Sequence, residues 1–152
     1  MIPEGVDIPD LSAQLAEDGV AFSNPDLATN AEIQDPIVST LQDSHGIAVV
    51  DVYPTRLADA RDIAQELQDA TGLDTVVVQT VRNVSAVSDT YSRAAIEATQ
   101  GDIPQGVNQV ELLDRFYAGA DPFGVPWPLI AAMAVAALVL AGLFVYRSVI
   151  QK

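Results

Sequence analysis

The chain has 152 residues, 49% of them hydrophobic, and its 21 acidic side chains outnumber seven basic ones, for a formal net charge of −14 at neutral pH. It contains no cysteine and a single histidine, which excludes disulfides, thiolate metal sites and cysteine nucleophiles. The scarcity of Lys and Arg argues against a nucleic-acid partner, because affinity for phosphate depends on those side chains.

The first segment, residues 1–29, carries three prolines among scattered acidic side chains. Proline lacks a backbone N–H and disrupts helix interiors, so we predict mostly irregular chain here, with at most a helical turn or two. The α/β domain is predicted from that point, over residues 30–118. It opens with a helix whose apolar residues recur at helical spacing from Ile33 to Leu41, and Gly46 is expected to end that helix in a left-handed cap.

A strand–helix–strand pattern gives the main indication of the fold. Residues 47–53 form a β-branched run typical of a buried strand, and residues 75–81 form a second one. Between them, an apolar stripe over residues 57–70 predicts an amphipathic helix with Thr55 as its N-terminal cap. Such a βαβ unit requires parallel pairing and favours a right-handed crossover.

The rest of the domain is predicted to be helical, with loops between the helices. Residues 83–85 are interpreted as a loop, residues 91–99 as a helix and residues 107–118 as a second amphipathic helix. The sequence therefore predicts the α/β class, as a small βαβ-based sandwich of helices and sheet.

A long apolar segment follows a Pro/Gly linker predicted at residues 119–127. Residues 122–146 carry no charge, and a helix over residues 128–147 is long enough to cross a hydrocarbon core of about 30 Å. We predict a single transmembrane helix there and a short tail at residues 148–152; the alternative is a buried core helix. The residues expected to anchor the helix at the two interfaces are Trp127, Pro128, Leu129, Tyr146 and Arg147.

Two arguments about membrane orientation conflict. The positive-inside rule places Arg147 and Lys152 in the cytoplasm and the domain outside. The first 20 residues have neither a basic n-region nor an apolar h-region, which predicts no signal peptide, and a tail-anchored protein normally keeps its domain inside. The Asp-rich, Lys-poor domain favours an extracytoplasmic position at the cell membrane.

Most of the acidic side chains are interpreted as a solvated surface. Residues 1–121 hold all 21 acids and five arginines, for a net charge of −16. Four of the acids share one helix face, and Ca²⁺ needs oxygens that converge from loops rather than a helical row. Those four are Asp59, Asp62, Glu66 and Asp69.

Sequence motifs of catalysis are absent. There is no GxSxG, GxxxxGK[ST] or GxGxxG pattern. His45 lies at the predicted end of a helix, where its interaction with the helix dipole explains it without catalysis. We therefore predict that the chain is not an enzyme.

One arrangement of polar residues can be assembled into a site. Asp51 interrupts an apolar strand, and Asp89, Tyr91 and Arg93 follow the second strand. If these segments meet at the carboxyl edge of the sheet, where open α/β sheets bind ligands, Asp51 and Asp89 are candidate metal ligands and Tyr91 and Arg93 candidate ligand-binding residues. The alternative is structural: Asp89 or Ser88 caps a helix, Asp51 pairs with an arginine, and Tyr91 packs.

A family resemblance rests on three features. Residues 83–97 read Asn-Val-Ser-Ala-Val-Ser-Asp-Thr-Tyr-Ser-Arg-Ala-Ala-Ile-Glu, the chain opens Ile-Pro-x-x-Val-Asp-Ile-Pro, and a βαβ core precedes one C-terminal span. Together they resemble an actinobacterial family of small single-pass membrane proteins that look like short relatives of the TPM domain. The resemblance implies a membrane-tethered α/β module linked to the maintenance of membrane-protein complexes, with Ca²⁺ binding or phosphatase activity in some relatives. It carries over no catalytic or metal residue.

The functional prediction is a non-enzymatic, membrane-anchored α/β domain that binds a protein partner, as an accessory subunit of a cell-envelope membrane complex. The expected partners are the lipid bilayer and a membrane or envelope protein, with no cofactor other than possible Ca²⁺. The alternatives are a metal-dependent phosphatase or hydrolase that uses Asp51 and Asp89, and a Ca²⁺-binding TPM-like module.

Overall fold

The computed structural model describes residues 1–121, which contain a four-stranded sheet and six helices. The helices are α1 (Ile8–Asp18), α2 (Pro25–Ala28), α3 (Ala31–Thr40), α4 (Ala58–Thr71), α5 (Arg93–Asp102) and α6 (Gln109–Ala120). The strands are β1 (Val20–Phe22), β2 (His45–Val50), β3 (Thr75–Thr80) and β4 (Val84–Ser88). The predicted α/β class is confirmed.

The strands lie in the order β1-β2-β3-β4. β1, β2 and β3 are parallel, and β4 runs antiparallel to β3. The predicted parallel pairing of β2 with β3 is confirmed, in a register that sets His45 opposite Thr75 and Val50 opposite Thr80. The strand around Asp51 ends earlier than predicted, at Val50.

Each face of the sheet carries its own hydrophobic core, because successive strand side chains point to opposite faces. One core joins alternate strand residues such as Ala48 and Val78 to α1 and α4. The other joins the intervening residues, such as Ile47 and Val77, to α3, α5 and α6. The sheet is therefore covered on both faces.

The two crossovers between parallel strands have opposite hands. β1 leads to β2 through α3, whose Ile37 belongs to the core shared with α5 and α6. β2 leads to β3 through α4, whose Leu67 belongs to the opposite core. Both steps move in the same direction across the sheet but over different faces, so one of them is left-handed. The rule that about 98% of such connections are right-handed therefore holds for only one of the two.

The N-terminal segment departs from the sequence prediction. Residues 1–29 contain α1, β1 and α2 rather than mostly irregular chain. The prolines do not prevent these helices, because Pro9 and Pro25 lie in their first turns, where a missing N–H costs nothing. The side chains of Asp7 and Asn24 cap the two helices.

Several further predictions were wrong. Residues 83–85 are not a loop, since Val84 begins strand β4.

The helix α4 has no side-chain cap from Thr55. Instead, the Asp59 carboxylate accepts a hydrogen bond from the backbone N–H of Arg56 at 3.0 Å. The prediction that Asp59 lies on a solvated helix face was also wrong, because its side chain is buried, whereas Glu66 and Asp69 are exposed as predicted. α6 ends at Ala120, two residues into the predicted linker.

The predicted transmembrane helix at residues 128–147, its anchor residues and the tail lie outside the described residues. Among residues 1–121, no helix combines the length and apolar character needed to cross a bilayer.

Gly46 packs closely within the sheet rather than capping a helix. α3 ends at Thr40, and Gly46 is the second residue of β2. A Cβ atom at this position would lie 2.8 Å from Leu73 Cδ1 and 3.2 Å from the backbone oxygen of Gly19. A larger side chain at this position therefore requires Leu73 and the Gly19 backbone to shift.

We expect Gly46→Ala to destabilise the protein by about 1–3 kcal/mol, the usual cost of overpacking a core. Gly101→Ala is the matched control, because a Cβ there meets nothing within 4 Å and alanine favours the helix by up to about 1 kcal/mol. Urea denaturation of the full-length chain in detergent measures both. Equal stability of the two variants would contradict the packing argument.

Candidate functional site

The structure separates the two carboxylates that the sequence suggested as metal ligands. Asp51 follows β2 at the carboxyl edge of the parallel strands. Asp89 follows the antiparallel β4, and its N–H bonds to the Asp74 oxygen just before β3 begins. The two acids therefore lie at opposite ends of the sheet, about 20 Å apart at the rise of a β-strand. They do not share a site.

The surroundings of each predicted site residue are structural. The N–H of Asp51 donates to Ser23 Oγ at 2.8 Å, while its side chain is exposed. Arg93 Nε donates to Glu97 Oε1 at 2.6 Å along α5. Tyr91 packs edge-on against Phe116. Within residues 1–121, no cluster of three or more His, Asp or Glu side chains has the spacing of a metal site.

His45 lies at the start of β2, not at a helix end. It is buried, and its Nδ1 is 3.2 Å from the hydroxyl of Tyr117. The rings of Tyr91 and Tyr117 lie 5.9 Å and 5.5 Å from the imidazole. Burial lowers the pKa of His45, and the charge of Asp74 opposes that shift. The imidazole is thus held in an aromatic cluster, and its explanation by a helix dipole was wrong.

One edge of the sheet is closed by side chains of α1 and the residues after it. The backbone N–H and C=O of Phe22 point away from β2, and the Gln14 amide pairs with both, at 2.9 Å and 3.2 Å. The outward N–H of Val20 donates to Asp18 Oδ1 at 3.0 Å. Exposed strand edges pair readily with other chains, and these bonds block such pairing at β1.

The opposite edge, formed by β4, has no such closure. Asp89 and Asn83 mark hydrogen-bonded positions with β3, through their bonds to Asp74 and Thr80. In an antiparallel ladder the intervening alternate residues point their backbone groups outward. Those residues are Val84, Ala86 and Ser88. Across residues 1–121, no other group bonds to their outward N–H and C=O groups.

A groove runs along this open edge between α4 and α5, and we refer to it as the β4 groove. Its floor is residues 85–89 of β4 and the following turn, and its volume is about 200 Å³. One wall is α4, with Arg61, Gln65 and Gln68, and the other is α5, with Ile96 and Gln100 among its residues. The groove therefore combines unpaired backbone with polar side chains.

The charges of the groove are unevenly paired. Arg93 is bonded to Glu97, and its hydrogen bond and charge, with a smaller effect of Arg61, lower the pKa of the Glu97 carboxyl. Arg61 itself forms no ion pair with any carboxylate of residues 1–121. Gln100 Oε1 is buried and accepts no hydrogen bond within that part of the chain. Neither side chain therefore has a direct hydrogen bond or ion pair within residues 1–121.

Comparison with known proteins identifies the family. Residues 1–151 match the family described as Membrane protein Rv1476. The chain belongs to this family. No curated protein and no solved structure matches it. Membership in a membrane protein family supports the predicted association with a lipid bilayer.

Sequence reasoning missed the groove because it missed β4. The segment Val-Ser-Ala-Val-Ser at residues 84–88 does carry a strand-like alternation at its start, and the four residues from Thr80 to Asn83 are enough for a tight turn. A strand predicted from this alternation would have placed Asp89 and Arg93 at the end of the sheet opposite Asp51. The closure of β1 by Gln14 has no comparable sequence signal.

The buried His45 predicts a dependence of stability on pH. Because its folded pKa lies below the unfolded value, the unfolded chain binds more protons, and the stability contributed by neutral His45 is lost as the pH falls through the unfolded pKa. We expect the urea midpoint to fall more steeply for the wild type than for His45→Gln between about pH 7.5 and pH 5. Parallel profiles for the two proteins would contradict this account.

Proposed function

We propose that residues 1–121 form a protein-interaction domain held at a membrane by the apolar C-terminal segment, and that the chain acts as a non-enzymatic accessory subunit of a cell-envelope membrane complex. Membership in a membrane protein family supports the membrane part of this proposal. We further propose that residues 128–147 are a single-pass anchor, that the domain is extracytoplasmic and that it is related to the TPM domain.

The observation that carries the interaction role is the difference between the two edges of the sheet. At β1, Gln14 pairs with both outward backbone groups of Phe22, and Asp18 accepts the outward N–H of Val20. At β4 the outward groups are unpaired within the described residues and lie in a groove between two helices. A fold that closes one edge and leaves a walled groove at the other presents a surface suited to a partner.

The enzyme alternative has less support. A phosphatase or hydrolase built on Asp51 and Asp89 needs both carboxylates at one metal or phosphate group, and they lie at opposite ends of the sheet. The Ca²⁺ alternative needs a convergent set of oxygen ligands, and residues 1–121 hold no cluster of three acidic or His side chains that would serve. No observation favours either alternative over a binding role.

Photo-crosslinking in intact membranes tests the proposal. A photoreactive amino acid replaces Gln65, an exposed residue of the groove wall, or Asp35, an exposed residue of α3 outside the groove. We expect the full-length protein to form one discrete heavier adduct from position 65 and none from position 35. No adduct at either position, or the same adducts at both, would contradict the proposed function.

A further inference from the structure

We infer that the β4 groove binds an extended segment of a partner protein as an added β-strand, with a carboxylate of that segment against Arg61. This inference rests on the proposed function and names the chemistry of the partner.

The backbone of β4 supplies the first part of the recognition. Ser85, Ala86 and Val87 are only 4%, 5% and 7% exposed, although β4 is the last strand of the sheet. The side chains of this strand are therefore packed, while the outward backbone groups centred on Ala86 have no partner within residues 1–121, which is costly wherever water cannot replace the missing hydrogen bonds. An added strand places its own N–H and C=O groups at the required spacing and pairs with them.

The walls of the groove define which side chains such a strand carries. Side chains of the added strand alternate between the two faces of the sheet, so one set meets α4 and the other meets α5. The α4 wall offers Arg61, Gln65 and Gln68, and the α5 wall combines the buried Ile96 with the polar side chains of Arg93, Glu97 and Gln100. We therefore expect polar or acidic side chains toward α4, and toward α5 small apolar side chains that pack near Ile96.

Arg61 selects an acidic side chain. It is exposed on α4 and has no ion-pair partner within residues 1–121, a segment of net charge −16. Its groove neighbour Arg93 is already neutralised by Glu97. A guanidinium binds a carboxylate through paired, charge-assisted hydrogen bonds. The orphan acceptor Gln100 Oε1 in turn provides a site for an N–H or O–H donor of the bound segment.

A second copy of the chain is a poorer occupant of the groove. Pairing of β4 with its own symmetry mate would bring together two domains that each carry a charge of −16, and like charges at an interface oppose association, whereas a short segment adds only the one carboxylate that faces Arg61. It would also pair Arg61-bearing walls with each other. The occupant is therefore a segment of a different protein.

The test uses the full-length protein in detergent micelles and two labelled peptides of about eight residues, the length of an ordinary strand. Both alternate Thr and Val, and they differ only in one central polar position, Asp in one and Asn in the other. Fluorescence anisotropy gives the affinity. We expect the Asp peptide to bind about fivefold more tightly, the scale of a partly exposed ion pair.

Three variants separate the parts of the inference. Arg61→Gln is expected to remove the preference for Asp. Arg115→Gln, the same change at an arginine paired with Glu111 on α6, is expected to leave it unchanged. Ala86→Pro removes an outward N–H without breaking the ladder to β3, since proline is tolerated at such edge positions, and is expected to weaken both peptides about tenfold or more. Thermal melting of each variant verifies folding.

The contrary outcomes are distinct. Failure of both peptides to bind wild type, or binding unaffected by Ala86→Pro, overturns strand addition. Equal affinity for Asp and Asn, or an unchanged preference in Arg61→Gln, overturns the acidic specificity. A position-65 adduct of twice the protein's own mass identifies a second copy as the occupant and also overturns the inference. In the first two cases a specific position-65 adduct leaves the proposed function standing.

Discussion

The hydrogen-bonding demand of two sheet edges governs this domain. Four strands satisfy each other internally, but β1 and β4 each keep a row of outward N–H and C=O groups that need partners. At β1, Gln14 and Asp18 bond to three of the outward groups of Val20 and Phe22, which is one reason why α1 packs where it does. Within residues 1–121 the outward groups of β4 have no such partners, and the proposed binding role rests on that asymmetry.

The two helices beside β4 turn an open edge into a defined site. α4 and α5 belong to opposite cores, through Leu67 on one face and Ile96 on the other, so they stand on either side of the last strand. α3 and α4 likewise cover different faces of the sheet, which is why the two crossovers have opposite hands. A strand added at the groove, as proposed, would contact side chains on both faces, and Arg61 is a groove arginine without an ion pair within residues 1–121.

The sequence predicted the central βαβ unit because two β-branched runs flank an apolar stripe with helical spacing. In the folded protein these segments keep the secondary structure that their local pattern favours. The sequence prediction failed at β1 and β4 for different physical reasons. β1 is only three residues long, and prolines lie on both sides of it. These prolines are compatible with helices because they lie in the first turns of α1 and α2, which is evident only once Asp7 and Asn24 are known to be the N-caps. The turn before β4 is too short to be visible in the composition of the sequence, so β4 was not predicted. Without β4, Asp89 was placed at the wrong end of the sheet. The groove itself depends on how the tertiary structure places Arg61 and Gln100 on either side of β4. The spacing of residues in the sequence does not predict that placement.

Amide hydrogen exchange of the full-length protein, followed by NMR, tests the open edge most directly. The Ala86 N–H has no partner within residues 1–121, whereas Val87 pairs with Val76 and the Phe22 N–H is bonded to Gln14. We expect Ala86 to exchange at least about tenfold faster than Val87 and Phe22, because unbonded amides are less protected. Protection of Ala86 equal to that of Phe22 would show that the edge is already closed and would contradict the account.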